Sequence, residues 1–296
     1  MVSLQEEKQV ITTKGKEILC TLARNNTANL APRTHGEADT RMILHAADAV
    51  QEGHRKIVLR TVDTDVLVLA IALARRLQEQ QVELWVAMGT GSHLRYIAAH
   101  EISNSLGSEM SKSLPVSHAF TGCDTVSCFA GRGKKTAFTV WKSYPAVTDA
   151  FLQLATTPTP LVSEACMIYL ERFVILLYDR TSNKANVNEA RKQLFAQKGR
   201  AYDAIPPTRA ALLQHTHCWG QARTPNPDLP SPGDWGWIFK EGEWQPFWTT
   251  LPDVTKSCRE LLRCGCKLGC RGRCYCARAA LKCTALCSCC DECNNR

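Results

Sequence analysis

The amino-acid sequence predicts an α/β domain built on a mostly parallel sheet, followed by a small cysteine-rich module. Three observations predict this division. Helical and strand-like apolar patterns alternate between residues 37 and 99, which is typical of parallel strands joined by crossover helices. Eleven of the sixteen cysteines lie between Cys258 and Cys293. The chain of 296 residues is also long enough for two ordinary domains.

Each element is predicted by the period of its apolar residues and by the glycines and prolines that bound it. In chain order the patterns predict a hairpin over residues 8–22 that turns at Lys14-Gly15, a helix over 37–53, a strand over 56–62, a buried helix over 66–77, a buried strand over 82–89 with its return over 93–99, a glycine-punctuated helical segment over 114–145, and helices over 164–178, 188–197 and 207–223. The tryptophans at 235–248 are expected either to stack on nucleic-acid bases or to stabilise a hairpin that packs on these helices.

Composition and charge indicate a soluble, basic, intracellular protein. Hydrophobic residues make up 45% of the chain and charged residues 22%, which excludes wholesale disorder. No apolar run approaches the roughly 20 residues of a membrane span, and the N-terminus lacks the pattern of a secretory signal. The net charge of +8 favours a polyanionic partner, and residues 258–296 alone supply eight basic against three acidic residues. In a reducing compartment, cysteines at this density indicate metal ligation and not disulfides.

Carboxylates cluster at the ends of predicted elements. Asp63 and Asp65 follow a strand, Glu37 and Asp39 begin the preceding helix, and Asp124 lies in the segment TGCDT. Ligands bind at the carboxyl ends of strands in open α/β sheets, and carboxylates are the ligands that Mg²⁺ and Mn²⁺ prefer. Five such acids suit a two-metal phosphodiesterase. The alternative is that Asp63 and Glu37 are N-caps or first-turn acids that the helix dipole favours.

The segment from His118 to Ala137 resembles the flap endonuclease/XPG-like family of PIN-like nucleases. It contains TGCDT and then GRGKKTA, close to the family's GCD and GIGxKKA. Upstream, Glu37-Ala38-Asp39 and Asp63-Thr64-Asp65 match its Glu-Ala-Glu and Asp-x-Asp, so the resemblance covers about residues 35–142. It implies a PIN-like fold with metal ligands at Glu37, Asp39, Asp63, Asp65 and Asp124, and a helix–turn–helix element in which Gly131, Gly133, Lys134 and Lys135 grip the duplex backbone.

One departure from that family concerns catalysis. The family completes its metal site with two further aspartates from an N-terminal strand, whereas residues 1–36 contain no aspartate and only Glu6, Glu7 and Glu17 as acids. The chain is therefore expected to be either a truncated or a degenerate relative. A non-catalytic protein that uses the nuclease fold as a scaffold is the alternative function.

The cysteine-rich tail has the spacing of a zinc-thiolate module. Nine cysteines, six of them in three CxC pairs, can bridge several tetrahedral zinc ions. A segment with so few aliphatic residues can fold only by binding metal. The spacing resembles a tesmin/TSO-type CXC (CRC) domain, which implies about three Zn²⁺ ions and DNA binding. The ligands would be Cys264, Cys266, Cys270, Cys274, Cys276, Cys283, Cys287, Cys289 and Cys293.

The tail departs from that family beside its fourth cysteine. A tyrosine of the family enters the DNA minor groove from the preceding position, whereas this chain has Arg273 there and Tyr275 one residue beyond the cysteine. Arg273 is the expected nucleic-acid contact, because arginine favours narrow minor grooves and phosphates. The alternative is a structural zinc knot or a protein-docking module.

Together these features predict a divalent-metal-dependent, structure-specific nuclease that acts on branched or flap nucleic acid, with DNA as its partner. The expected boundaries are an N-terminal hairpin and loop (1–34), the nuclease-like domain (35–155), a helical extension (156–230), a Trp/Pro-rich connector (231–257) and the zinc module (258–296). A nuclear location and an origin from a mobile element are the corresponding expectations.

Overall fold

The computed structural model describes residues 9–14, 17–22, 27, 30, 38–124, 126–156, 162–196, 204–221, 233, 237–246, 263–267, 270, 274–284, 286–290 and 293–296. The chain divides into two compact units. The first comprises Met1–Cys123, Thr148–Pro158 and Trp219–Leu229, and the second comprises Asp124–Val147, Thr159–Cys218 and Pro230–Arg296. Both α-helices and small sheets are present, as predicted. The bounds of the five predicted segments stay predictions.

The first unit contains two small sheets. Strands β1 (Ile11–Lys14) and β2 (Glu17–Cys20) form the predicted antiparallel hairpin. The second sheet has the order β3 (Lys56–Thr61), β4 (Glu83–Met88) and β5 (Arg95–Ala98). Strand β4 runs parallel to β3 and antiparallel to β5. The sheet is therefore mixed, whereas the sequence predicts a mostly parallel one.

The reversal between β4 and β5 has a local cause. Only six residues join the two strands, which is too short for the crossover that a parallel pair needs. Gly89 has φ +94°, and a Cβ atom built there would lie 2.6 Å from the carbonyl oxygen of His93. Gly91 also has a positive φ, +54°. Glycine is the residue that adopts this backbone without strain, so the turn is encoded in the sequence.

Three helices cover one face of this sheet. They are α1 (Ala38–Gln51), α2 (Thr64–Arg76) and α3 (Ala99–Phe120), of which α3 is interrupted at Gly107 with φ +79°. Their apolar sides bury Val66, Leu73, Leu84 and Val86 almost completely. Helix α5 (Val147–Thr156) adds Phe151, whose ring centroid lies 5.8 Å from that of Phe120. The core of the first unit thus lies between the helices and a single face of the sheet.

The second unit is mainly helical. It contains α4 (Lys134–Ser143), α6 (Glu164–Tyr178), α7 (Val187–Ala196) and α8 (Arg209–Gln221), the last as far as Cys218. Strands β6 (Trp237–Lys240) and β7 (Glu243–Pro246) form an antiparallel hairpin in the tryptophan-rich stretch. Phe239 and Trp244 contact each other across it and are both exposed. None of the described helices is both long and apolar enough to cross a membrane.

A buried carboxylate joins three of these helices. Glu171 on α6 is 4% exposed. It accepts hydrogen bonds from the backbone N–H of Val187 at 2.8 Å and from Nε of Arg209 at 2.6 Å. These bonds fix the first residues of α7 and α8 on α6. Arg209 also pairs with Glu164 at 2.5 Å, near the surface of α6.

Candidate metal centre

The nine predicted zinc ligands form one compact cluster, which we call the cysteine cluster. Eight of its members are buried and Cys266 is half-buried. A short helix, α9 (Tyr275–Arg278), begins after Cys274, whose side chain accepts a hydrogen bond from the N–H of Ala277. Few aliphatic side chains pack against the sulfur atoms. The sulfur atoms thus take the place that an apolar core occupies in other small domains.

Sulfur atoms of the cluster form three groups that could each hold a metal ion, with their ligand atoms within 4.8 Å of one another. The groups are Cys264, Cys283, Cys287 and Cys289; Cys264, Cys266, Cys270 and Cys274; and Cys270, Cys283, Cys289 and Cys293. Each pair of groups shares at least one cysteine, and the first and third groups share both Cys283 and Cys289, so that adjacent sites would be bridged by thiolates.

Three of the shared residues lie at the centre of the cluster and form a sulfur triangle of Cys264, Cys270 and Cys283. Its Sγ–Sγ distances are 3.3, 3.8 and 3.6 Å. Two sulfur ligands of one tetrahedral zinc lie about 3.8 Å apart when each Zn–S bond is about 2.3 Å. The separations and the all-sulfur ligand set therefore fit zinc. Cys276, the predicted ligand outside the three groups, has its Sγ 3.6 Å from that of Cys287.

N–H donors around the cluster point at its sulfur atoms. The backbone N–H of Cys264 donates to Cys287 and that of Cys270 donates to Cys293, at 3.4 and 3.2 Å. The side-chain amide of Asn295 donates to Cys283 Sγ at 3.2 Å and to the carbonyl of Leu281 at 3.0 Å. Such bonds stabilise negative charge on metal-bound thiolates. Asn295 was not predicted as a functional residue, because asparagines after the last cysteine carry no spacing signal.

The metal-free thiols differ widely in acidity. The backbone N–H of Cys266 lowers the pKa of Cys264 to about 6, and that of Asn295 lowers the pKa of Cys293 to about 7. Burial raises the pKa of Cys289 to about 12 and also raises that of Cys276. At neutral pH the cluster therefore contains both thiolates and thiols, and metal binding must remove protons from the latter.

Zinc affinity should consequently fall as the pH is lowered. Ligand thiols bind metal only when they are deprotonated, so each zinc taken up near neutral pH releases protons. Below about pH 6 even the Cys264 thiolate is lost. Competition with a chromogenic chelator at about pH 6 and about pH 8 measures the change, and proton release into a weakly buffered solution gives a second readout. Equal zinc affinity at both values would contradict thiolate ligation.

Two of the predicted acids lie together in the first unit. Asp63 is the N-cap of α2, and its carboxylate accepts a hydrogen bond from the N–H of Asp65 at 2.8 Å. Asp65 Oδ1 lies 2.8 Å from Nε2 of His118, a half-buried residue of α3. The predicted N-cap role of Asp63 is confirmed. The pairing with His118 was missed, because 53 residues separate it from Asp65 and nothing local indicates the contact.

The other predicted acids are placed differently. Asp39 is the second residue of α1 and is half-buried, Asp124 is exposed in the second unit, and Glu37 lies outside the described residues. Within the part of the chain that the structure describes, only cysteines form groups of three or more possible metal ligands. A Mg²⁺ or Mn²⁺ site formed by all five acids stays a prediction.

The predicted duplex-binding residues surround the start of α4. Gly131 has φ +68°, Gly133 is the N-cap of α4 without a side-chain hydrogen bond, and Lys134 and Lys135 are exposed in the first turn. Arg132, between the glycines, lies over the ring of Tyr178 at 4.8 Å, so it is used within the second unit. Arg273 lies outside the described residues, and the helix–turn–helix arrangement stays a prediction.

Comparison with known proteins finds no family model that matches the chain, and no similar curated protein or solved structure. The function is therefore inferred from the chemistry of these residues.

Proposed function

We propose that this protein is a zinc-dependent DNA-binding protein with a divalent-metal site that hydrolyses phosphodiester bonds in branched or flap DNA. The observation that carries the proposal is the cysteine cluster with its basic surface. Lys267, Arg278 and Lys282 are exposed around the buried sulfur atoms, and Tyr275 is exposed between two cluster members. Cationic side chains on a rigid support are what a phosphate backbone recognises.

The start of α4 supplies a second basic element. Glycines on both sides of Arg132 leave the backbone accessible, and a Cβ atom at Gly131 or Gly133 would meet nothing within 4 Å. The first turn of α4 contains Lys134 and Lys135 and no acidic residue. Free N–H groups at the start of a helix attract phosphate, and the lysines add an attraction that does not depend on base sequence.

The hydrolytic part of the proposal rests on Asp63 and Asp65. Asp63 caps the helix that follows β3 and Asp65 lies in its first turn, near the end of a sheet strand where α/β proteins bind ligands. The N-cap bond orients the carboxylate of Asp63, and His118 orients that of Asp65. When bound, Mg²⁺ or Mn²⁺ would activate a water molecule for attack and stabilise the leaving oxygen. The second oxygen of each carboxylate is the one that these contacts leave for a cation.

A non-catalytic scaffold is the second candidate, and a specific observation favours it. Asp63 and Asp65 both have structural uses, as a helix cap and as a partner of His118. A chain without nuclease activity would therefore still need acids or their amides at these positions. DNA binding by the cysteine cluster and α4 would then be the whole function.

Cleavage of a labelled 5′-flap DNA by the zinc-loaded protein, with and without Mn²⁺, tests the proposal. The Asp63→Asn/Asp65→Asn variant should bind the DNA but not cut it, because asparagine caps helices as well as aspartate does but is a poor ligand for hard cations. Asp149→Asn, which changes an exposed first-turn acid of α5, is the matched control and should cut normally. Binding without metal-dependent cutting by the unmodified protein would establish the scaffold alternative.

DNA affinity should become less salt-dependent when the lysines of α4 are removed. Each phosphate contact contributes about 0.9 to the slope of log affinity against log salt, so Lys134→Ala/Lys135→Ala should reduce that slope by roughly 1.8. Fluorescence anisotropy over a salt series measures it. Lys142→Ala, in the last turn of the same helix, should leave the slope unchanged. A reduction of equal size per lysine removed in both variants would mean that α4 contributes only through its overall charge.

A further inference from the structure

Among the residues that the structure describes, the sheet of the first unit ends at β3 with an unpaired edge. In the strand order β3-β4-β5, β3 has β4 on one side and, among the described residues, no strand on the other. All-parallel sheets occur almost only where both faces are covered. Here the parallel pair is the outermost one among the described strands, and the apolar cluster formed with α1, α2 and α3 lies on the face of Leu59 and Val86. The open side of β3, from Lys56 to Val62, is called the outer edge.

Backbone geometry shows which residues face outward along this edge. The N–H of Glu83 donates to the carbonyl of Arg55, and the N–H of Gly89 donates to the carbonyl of Thr61. In a parallel ladder the residues that bond to the neighbouring strand alternate. Residues 55, 57, 59 and 61 therefore bond toward β4. The N–H and C=O groups of Lys56, Val58 and Arg60 point away from the sheet and can pair with an added strand.

The same alternation places the side chains of these residues on the face opposite Leu59 and Val86. Val58 is 53% exposed and Val62 is 71% exposed. Tyr96, which shares the face through the register Arg60↔Ala87↔Tyr96, is 63% exposed. Ile57 and Leu59 point to the helices instead and are covered by them. The outer edge thus presents an alternating series of basic and β-branched side chains beside free backbone groups.

Charge decides what can pair with this edge. Lys56 already pairs with Glu83 at 3.2 Å, whereas Arg60 is exposed and has no ion-pair partner among the described residues. A second copy of the chain would present the same outward side chains, none of them acidic, so that in every register each cation would face another cation or a valine. Like charges directly opposite each other destabilise a strand pair. The edge therefore disfavours self-association and is complementary to an acidic strand.

We propose that the outer edge of β3 is a docking site for an extended segment of a partner protein, which adds to the sheet as a fourth strand. The segment alternates acidic and β-branched residues on the face beside β3: the acids lie opposite Lys56 and Arg60, and the apolar residues cover Val58 and Val62. Main-chain hydrogen bonds supply affinity and the charge pattern supplies selectivity, as in other cases of strand addition. This site is separate from the cysteine cluster and from α4.

A synthetic probe peptide tests the proposal on the full zinc-loaded chain. The probe has about eight residues, with glutamate and valine alternating at odd positions and threonine at even positions. It should shift the amide NMR signals of Lys56, Val58 and Arg60, and Arg60→Glu should weaken its binding at least tenfold. Replacing only the glutamate that lies opposite residue 60 by lysine, and keeping the one opposite Lys56, should restore binding to Arg60→Glu. Arg95→Glu, on the opposite edge of the same sheet, is the control of equal charge and should bind the original probe normally.

Backbone methylation separates strand addition from simple charge attraction. The amide nitrogens are methylated at the odd positions in one probe and at the even positions in another. Just one of these two probes should lose binding, because only one set of N–H groups faces β3. Loss at odd positions would mean antiparallel addition, and loss at even positions parallel addition. Absence of binding, or binding that survives both methylations, would overturn the proposal. A concentration-dependent dimer that Arg60→Glu disrupts would also overturn it. Zinc content and DNA binding of the same variants report on the proposed function independently.

Discussion

Replacing Cys264 by serine should remove more than one zinc ion and unfold the cysteine cluster. Cys264 belongs to two of the three possible metal groups, and its sulfur lies 3.3 and 3.8 Å from the other two sulfur atoms of the triangle. A serine oxygen is a poor substitute for a bridging thiolate. Because modules of this type fold through metal binding, the zinc content should fall from about three ions to about one.

Metal analysis of the purified protein, together with amide NMR signals of residues 263–296, measures this effect. Cys266→Ser is a graded comparison, because Cys266 belongs to a single group and should cost about one ion. Cys290→Ser is the matched control, since Cys290 is exposed and lies in none of the groups. Unchanged zinc content in Cys264→Ser would disprove the bridging role. DNA affinity should fall with zinc content if the cysteine cluster contacts the phosphates.

Replacing Glu171 by alanine should destabilise the second unit by about 3–5 kcal/mol, as the loss of one partner from a buried ion pair does. The substitution removes the acceptor of Arg209 Nε and of the Val187 N–H at once. It leaves a partly buried guanidinium without its inner partner and a helix start without its acceptor. Helix α4 packs on α6, so the support of Lys134 and Lys135 would loosen as well.

Glu164→Gln separates this buried contact from the exposed one. Glu164 also pairs with Arg209, but its side chain is 74% exposed, and exposed ion pairs contribute about 0–1 kcal/mol. Urea denaturation monitored by circular dichroism gives both changes in the free energy of unfolding. If the two variants lost similar amounts of the free energy of unfolding, the ion pairs of Arg209, and not the buried position of Glu171, would account for the stabilisation.

Elements with a strong local pattern were predicted well. The helix over 164–178 has the observed bounds, and the hairpin around Lys14-Gly15 and the strands that became β3, β4 and β5 are all present. These elements are determined by the period of their apolar residues and by glycines at the turns, which act within a few residues of chain. The nine cysteines were identified in the same way, because CxC spacing is itself a local signal for shared metal sites.

Contacts between distant residues were not predictable from such patterns. Spacing identified the cysteines but not which of them approach one another, since that depends on how the loops between residues 264 and 293 fold back. Asp63 and Asp65 were recognised as acids at a strand end, whereas the histidine that holds Asp65 comes from α3. The contact between Glu171 and Arg209 spans 38 residues, and two charged residues within helices carry no indication that they meet.

The sequence by itself determined the mixed α/β class, the positions of most helices and strands, and a cysteine tail able to bind metal. Only the tertiary structure decided which sulfur atoms share a site, that His118 pairs with Asp65, and that among the described residues no strand lies beside the outer edge of β3. The physical reason is the distance along the chain over which each interaction acts. Backbone propensity and apolar period act between neighbours in the chain, whereas shared ligands, buried ion pairs and exposed edges depend on packing between segments far apart in it.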